Sequence, residues 1–161
     1  MNAAPQFFIR MASSGDAVGI LECLHSAFAP YRADYTEAAF EDTVLTIDTV
    51  HQRLATMAVF VATTEAGDIA GTITCKIVDG GEGHIRGMAI VPGWQGCGVA
   101  RQLLEAAESE LRDRNCLHVS LGTTAPLRRA VQFYERNGFQ PSGVVVDFFG
   151  MPLFQLIKIV G

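Results

Sequence analysis

The stretch VPGWQGCGVA, residues 91–100, leads into RQLLEAAESELRDR, whose apolar spacing is typical of an amphipathic helix. Gly96 and Gly98 remove side chains just before that helix. The start of a helix carries unpaired backbone N–H groups and the positive end of the helix dipole, and both attract phosphate when no Cβ atom blocks the approach. The stretch therefore predicts an anion-binding turn, with a plain strand-to-helix connection as the alternative.

Two common phosphate-binding loops do not fit these residues. The dinucleotide fingerprint G-x-G-x-x-G needs a third glycine at the position of Arg101. The P-loop ends in GK[ST], a sequence that this chain lacks. A different phosphate-binding pattern is therefore expected.

Two separated motifs supply such a pattern. Gln95, Gly98 and Ala100 follow Q/R-x-x-G-x-G/A, and AVQFYERNGF, residues 130–139, follows A-x-x-x-Y-E-x-x-G-F. In this order they resemble the two signatures of the GNAT superfamily of acyl-CoA-dependent N-acyltransferases. GHIRGMAIVP resembles the fourth strand of that family, IRMASSGDAVGILECL its first strand and helix, and DFFGMPLFQLIKIV its closing strands. The resemblance thus covers nearly the whole chain.

The resemblance implies an α/β (α+β) fold in a single domain over residues 1–161. Its mixed, mostly antiparallel sheet of about seven strands would be flanked by helices and splayed between strands four and five to admit acetyl-CoA. Hydrophobic periodicity and turn residues predict strands over 7–11, 58–64, 69–78, 83–91 and 116–123, and two closing strands around Gly150. They predict helices over 17–28 and 97–114, a helix from about Pro126 to just before Gly138, and one or two short helices between 31 and 57.

The resemblance also assigns the cosubstrate contacts. The main chain of the turn would hold the CoA pyrophosphate, and the strand edge before it would bind pantetheine and polarise the thioester carbonyl through an N–H near Met88 or Ile90. Arg101 would reach a phosphate or remain solvated. The residues implied are Met88, Ala89, Ile90, Gln95, Gly96, Cys97, Gly98, Val99, Ala100 and Arg101.

Acetyl transfer needs a neutral amine and a protonated leaving thiolate. An alkyl amine costs about 4 to 5 kcal/mol to be neutral at pH 7, so a base or a water chain must help. By the resemblance, Tyr134 would protonate the thiolate, and His84 falls where several relatives carry a glutamate that acts as base. Glu82 and a water chain are the alternatives to His84. Leu127 replaces an asparagine that many relatives carry, so the contacts of that side chain with CoA are not expected here.

The acceptor is expected to be a primary amine of a small molecule. Its pocket would be built by the 28–57 region and the 147–154 turn, through Phe28, Tyr31, Tyr35, Phe148 and Phe149, although each of these aromatic residues could instead pack in the core. The alternatives are a protein or peptide amine and a non-catalytic CoA-binding regulatory module. Retention of Tyr134 favours an enzyme.

Composition limits the other functions. The net charge of −5 without a basic block argues against nucleic-acid binding, and is compatible with a cationic substrate. The apolar runs are too short for a membrane span, and the N-terminus does not resemble a secretory signal, so a cytoplasmic location is expected. The four scattered cysteines predict neither a metal site nor a disulfide framework, and Cys97 has no neighbouring base. Direct transfer in a ternary complex is therefore expected, in a monomer or a homodimer.

Overall fold

Seven strands form one sheet in the computed structural model, which describes residues 6–161. The strand order is β1-β2-β3-β4-β5-β7-β6, with β4 and β5 parallel and the other neighbours antiparallel. The strands are β1 (Phe7–Met11), β2 (Ala58–Thr64), β3 (Ile69–Val78), β4 (Glu82–Ile90), β5 (His118–Thr123), β6 (Gln140–Phe148) and β7 (Met151–Ile159). This mixed, mostly antiparallel sheet confirms the predicted fold class.

In the described residues 6–161, five α-helices flank the sheet. They are α1 (Ala17–Phe28), α2 (Glu37–Val44), α3 (Ile47–Thr56), α4 (Val99–Asp113) and α5 (Arg128–Arg136). α1 ends before Pro30, as predicted. The poorly patterned 31–57 region contains two short helices because Thr36 and Thr46 each accept a backbone N–H bond with their hydroxyl group, at 3.1 and 3.3 Å, and so cap α2 and α3.

Both faces of the central strands are buried. Along β2, Phe60 and Ala62 pack in the cluster that contains α4, whereas Val59 and Val61 pack in the cluster that contains α1 and Val50 of α3. Alternation along a strand sends successive side chains to opposite faces, so an apolar run such as AVFVA serves two cores. The sheet is therefore a central layer between two layers of helices.

β4 and β5 part after a short paired segment. They pair at Gly83–Val119, His84–Ser120 and Ile85–Leu121, and β4 then continues to Ile90 without β5 beside it. The predicted splay between strands four and five is therefore present. Beyond Ile85, the edge of β4 that faces β5 is open to a ligand.

A β-bulge lies in the open part of β4. The register with β3 shifts between Thr72 and Thr74, and Gly87 adopts a positive φ of 63°. Ile85 packs in the cluster of α4 before the shift, and Ala89 packs in the cluster of α1 after it. The extra residue of a bulge reverses the alternation, which turns both His84 and Ala89 to the same face.

Several element boundaries differ from the prediction. α4 begins at Val99 instead of residue 97 because Gly98 is in the left-handed region and serves as N-cap. β5 begins at His118, two residues later than predicted, and β4 spans 82–90 instead of 83–91. Residues 1–5, which belong to the segment judged not to be a secretory signal, lie outside the described residues. Within 6–161, the helices lack the length and apolar character of a membrane span.

Candidate active site

A cavity of about 950 Å³ opens where β4 and β5 part. It is bounded by β4, the turn before α4, the end of β5, α5, and the segments around α2 and α3. Fifteen of the predicted site residues line it, namely Phe28, Tyr31, Tyr35, His84, Met88, Ala89, Ile90, Gln95, Gly96, Gly98, Val99, Ala100, Arg101, Tyr134 and Phe148. Glu82, Cys97 and Phe149 are absent from its wall.

The turn before α4 is shaped to receive an anion. Gly98 is the N-cap with φ 88°, and it offers no capping side chain. The first helical bond runs from the Gln102 N–H to the Gly98 carbonyl, at 3.2 Å, so the N–H groups of Val99 and Ala100 precede the helical hydrogen bonds. A Cβ atom added to Gly96 or Gly98 would meet nothing within 4 Å. The open space and the uncapped N–H groups fit a pyrophosphate.

The side chains of Arg101 and Cys97 take different positions at this turn. Arg101 lines the cavity, is largely exposed, and forms an ion pair with Glu105 at 3.2 Å. Both side chains of this ion pair are exposed to solvent, so the pair is weak and the Arg101 guanidinium can rotate toward a phosphate at little cost in free energy. Cys97 lies off the wall, with its Sγ 3.8 Å from the Gln95 carbonyl. The part of Cys97 in ligand binding is thus limited to its backbone.

Tyr134 is buried on α5 and borders the cavity. Its ring is in edge contact with Phe133 and Phe139, at centroid distances of 5.4 and 5.5 Å. Gly138, with φ 95°, ends the helix and turns Phe139 back into the core. Burial raises the pKa of the Tyr134 phenol above its ordinary value. Phe133 and Phe139, which belong to the same motif as Tyr134, thus fix the position of its ring.

His84 lies on β4 beside the seam with β5. Its Nδ1 is 3.1 Å from the Ser120 Oγ. Burial, followed by the charges of Arg86 and Lys76, lowers the pKa of the imidazole to about 4. His84 is therefore neutral at pH 7 and can accept a hydrogen bond, but an imidazolium is disfavoured at this position.

Glu82 is a poor alternative to His84 on positional grounds. It is the first residue of β4, pairs with Val78 of β3, and lies outside the cavity wall. Alternation puts Glu82 on the same strand face as His84, but one further step away from the splay. Glu82, the predicted alternative to His84 as base, therefore lies farther from the cavity than His84 does.

Hydrogen bonds tie the aromatic end of the cavity together. The Tyr35 and Thr124 hydroxyl groups lie 2.7 Å apart, which joins the segment before α2 to the end of β5. The Thr36 hydroxyl donates to the Phe149 carbonyl at 2.7 Å, which joins α2 to the β6–β7 turn. Phe149 itself is 53% exposed and packs on Phe148 instead of lining the cavity. Its predicted role in the acceptor pocket is thus corrected to support of Phe148.

Five charged residues that line the described wall were missed in the sequence, and two of them, Arg129 and Arg136, lie on α5. Arg86 lies on β4, Arg53 on α3 and Asp42 on α2. Arg86 could have been found, since it follows His84 by two positions on a strand and so shares its face. Nothing in the sequence marks Arg53 or Asp42, because their helices reach the cavity only through tertiary packing.

Other candidates have simpler positions. Leu127, at the asparagine position of many relatives, precedes α5 and contributes an apolar side chain to the wall. His25, His51 and His118, none of which was assigned a role, are exposed and lie off the wall. Within residues 6–161, no cluster of three or more His, Cys, Asp or Glu side chains is arranged to hold a metal ion.

Two known acetyltransferases are similar in sequence to part of this chain. A mycothiol acetyltransferase from Beutenbergia cavernae is 33% identical over 86 residues, which span 53% of this chain and 29% of that protein. An aminoglycoside N(6')-acetyltransferase type 1 from Stenotrophomonas maltophilia is 32% identical over 104 residues, or 60% of this chain and 67% of that protein. The match thus spans less than a third of the first relative and about two thirds of the second.

Solved structures agree with the fold. The PaiA N-acetyltransferase from Thermoplasma acidophilum, solved with coenzyme A, superposes with a TM-score of 0.79 at 19% identity, over 96% of this chain and 99% of that one. A GNAT-family acetyltransferase from Staphylococcus aureus gives a TM-score of 0.80 at 16% identity, over 97% and 100%. The model of the acetyltransferase (GNAT) family matches residues 20–139, which are most of the chain. The chain therefore belongs to the GNAT family of acetyltransferases, the class of acyltransferase that its two motifs predicted.

Proposed function

We propose that this protein transfers an acetyl group from acetyl-CoA to a primary amine of a small molecule. The observation that carries the proposal is the uncapped start of α4, with Gly96 and Gly98, opening into the cavity between β4 and β5. Two relatives support an acceptor of small size, since they are named for acetylation of mycothiol and aminoglycosides. No nucleic acid or membrane takes part in the proposed reaction.

The cosubstrate would lie along the splay. The N–H groups of Val99 and Ala100 would bind the pyrophosphate, helped by the dipole of α4. The open edge of β4 near Met88 and Ile90 would bind pantetheine by main-chain hydrogen bonds. An N–H group at this edge would polarise the thioester carbonyl without any side chain. Acetyl-CoA supplies the activated acyl group.

Direct transfer forms a C–N bond and breaks a C–S bond. The neutral amine attacks the thioester carbonyl carbon, loses a proton, and the departing thiolate gains one. Tyr134 would donate that second proton, since its raised pKa keeps the phenol protonated at pH 7. A thiol in water has a pKa of about 8.5, and apolar surroundings raise that pKa, which makes the departing thiolate a stronger base toward the phenol.

The proton of the amine would leave through His84 or through a water chain that begins there. A neutral imidazole can accept a hydrogen bond from the amine or a water. With a pKa of about 4, however, the ligand-free imidazole would take a proton from an alkylammonium only at a cost of about 9 kcal/mol, at ~1.4 kcal/mol per pKa unit. Relay of the proton onward to solvent is therefore the favoured role of His84.

Two other functions remain alternatives. A protein or peptide amine would need an open groove, whereas the acceptor end is crossed by the hydrogen bonds of Tyr35 with Thr124 and of Thr36 with the β6–β7 turn. A non-catalytic CoA-binding module would have no use for Tyr134 at the cavity. Both features favour a small-molecule acetyltransferase.

Calorimetric titration with acetyl-CoA tests the proposal first. Binding in the micromolar range is expected, and absence of binding at millimolar acetyl-CoA would overturn it. A screen of amines, amino acids and peptides with detection of free CoA thiol then tests turnover. Thiol release with peptides but with no small amine would favour the protein-directed alternative, and binding without turnover of any amine would favour the regulatory module.

Three further expectations stay proposals. The single domain over residues 1–161 would be tested by limited proteolysis, a homodimer by sedimentation equilibrium, and a cytoplasmic location by cell fractionation. Each of these measurements is independent of the catalytic tests.

A further inference from the structure

The cavity wall is positively charged although the chain as a whole is acidic. The charged side chains on the described wall are Asp42, Arg53, Arg86, Arg101, Arg129 and Arg136. Five are arginines and one is acidic, in a chain of net charge −5. Charges more than about 8 Å away are largely screened at physiological salt, so these local groups outweigh the overall charge. A ligand in this cavity meets a positive field.

Only some of these arginines lie on elements beside the predicted binding site for the phosphates of acetyl-CoA. Arg101 lies on α4, and Arg129 and Arg136 lie on α5, the helices beside the predicted phosphate turn and Tyr134. Arg53 and Arg86 belong to other elements. Arg86 lies on β4 two residues after His84, on the His84 side of the bulge, which places it at the acceptor end.

Arg53 reaches the same place from α3. A Cβ atom built on Gly87 would lie 2.8 Å from the Arg53 Nη1, so the guanidinium rests on the backbone of the bulge. Arg53 and Arg86 are both partly buried. Burial, followed by the charge of Arg86, lowers the pKa of Arg53 to about 10, while Asp42 opposes this shift. The positive charges of Arg53 and Arg86 are therefore close enough to repel each other.

Asp42 compensates for only one of the two charges. Its Oδ2 lies 3.9 Å from the Arg86 Nη2, which is the outer limit of an ion pair. A partly buried cation without a close counterion is unfavourable, and a planar guanidinium binds a carboxylate through two parallel hydrogen bonds. An anion that entered between Arg53 and Arg86 would relieve both costs.

We propose that Arg53 and Arg86 bind a carboxylate of the acceptor, so that the substrate is an amine of the amino-acid class. This inference rests on the proposed acetyltransferase function and deepens it. The amine would face the thioester near Met88, and the carboxylate would lie toward α3. It also reverses the expectation of a cationic substrate that the overall charge of the chain suggested.

Matched amines test the charge of the acceptor. L-phenylalanine is compared with L-phenylalaninamide and phenethylamine, and L-leucine with L-leucinamide and isoamylamine. The amide and the decarboxylated amine bracket the basicity of each amino acid, so a preference cannot be due to amine pKa alone. We expect kcat/KM to be at least about tenfold higher for the carboxylated member. A factor of this size corresponds to the loss of one charge-assisted hydrogen bond. Equal or better use of both partners that lack the carboxylate would overturn the inference.

Variants identify the binding groups. Arg53→Gln and Arg86→Gln should each raise KM for the amino acid by about tenfold or more, and leave the Kd of acetyl-CoA within twofold. Asp42→Asn should lower the same KM, because it removes the competing carboxylate. Arg112→Gln, at the exposed end of α4, is the matched control that leaves both constants unchanged. An equal effect of the Arg53 and Arg86 variants on an amino acid and its decarboxylated amine would contradict the inference.

Failure of this inference differs from failure of the proposed function. If the protein binds acetyl-CoA and prefers decarboxylated amines as acceptors, the proposed function stands and the carboxylate site is ruled out. If no amine were acetylated, the function would fail, and thermal shift with the same six compounds would still decide the site. Stabilisation by L-phenylalanine and L-leucine alone, lost in Arg53→Gln, would support it, and equal or no stabilisation by all six compounds would overturn it.

Discussion

The Nδ1 of His84 lies 3.1 Å from the Oγ of Ser120, at the middle of the three positions where β4 and β5 still pair. Ser120 is buried, so this contact occupies Nδ1 and leaves Nε2 as the free nitrogen of the ring. The same pairing holds His84 at the point where the strands begin to part. The position of the imidazole is thus set by the seam itself.

The pH dependence of kcat/KM should reflect the neutral state of His84. Because the pKa of His84 in the ligand-free enzyme is lowered to about 4, log kcat/KM should rise with a slope of one from pH 5 to 8, through deprotonation of the amine alone. The slope should steepen to two only near pH 4. In His84→Gln the slope should stay at one throughout. A wild-type break near pH 6.5 would contradict the buried, neutral histidine.

Folding stability should also depend on His84. The folded-state pKa lies below the unfolded value of about 6.5, so the unfolded chain binds more protons between pH 6.5 and 4, and stability falls as the pH is lowered through this window. The loss is at most about 3.5 kcal/mol, at ~1.4 kcal/mol per pKa unit. Urea unfolding of wild type and His84→Gln at pH 7 and pH 4.5 measures it. The variant should lose less stability over this interval.

Tyr134→Phe should separate catalysis from folding. Burial is the cause of the raised pKa of Tyr134, with no hydrogen bond to its hydroxyl among the contributing groups, so removal of the hydroxyl should leave the Tm unchanged or slightly higher. Loss of the proton donor should lower kcat by about 100-fold or more. The Kd of acetyl-CoA should stay within twofold. Unchanged turnover would rule out the acid role.

Gly98→Ala should weaken acetyl-CoA binding through the backbone. The φ of 88° is strained for alanine, although a Cβ atom would meet nothing within 4 Å. A loss of about 1 to 2 kcal/mol in stability is expected, together with weaker binding of acetyl-CoA, since the turn must distort. Gly15→Ala is the control, because Gly15 also has open space but no positive φ, and it should change neither quantity.

Gly87→Ala should weaken binding of the acceptor more than binding of acetyl-CoA. The new Cβ atom would meet the Nη1 of Arg53 at 2.8 Å, and the φ of 63° adds conformational strain. The guanidinium is the end of a flexible side chain, so we expect the clash to be relieved by movement of Arg53 and the protein to remain folded. KM for carboxylated amines should rise by about tenfold, and comparison with the Kd of acetyl-CoA checks that the effect is local.

The sequence carried the cosubstrate half of the site better than the acceptor half. Gly98 and Tyr134 lie in short motifs whose chemistry is local, a bare helix start and a helix closed by a glycine. Arg53 has no such context, because only the packing of α3 on the sheet brings it to Gly87. The bulge at Gly87 is equally invisible in HIRGMAI, since the alternation of that stretch gives no sign of an extra residue.

The short seam between β4 and β5 has a consequence for stability. Three residue pairs join β5, β7 and β6 to the rest of the sheet along this line, and the core around α4 connects the two parts of the sheet on one face. A ligand bound beyond Ile85 would bridge β4 and β5 where their own pairing stops. In the proposed reaction, acetyl-CoA would therefore stabilise the fold as well as supply the acetyl group, and the complex would be more stable than the free protein.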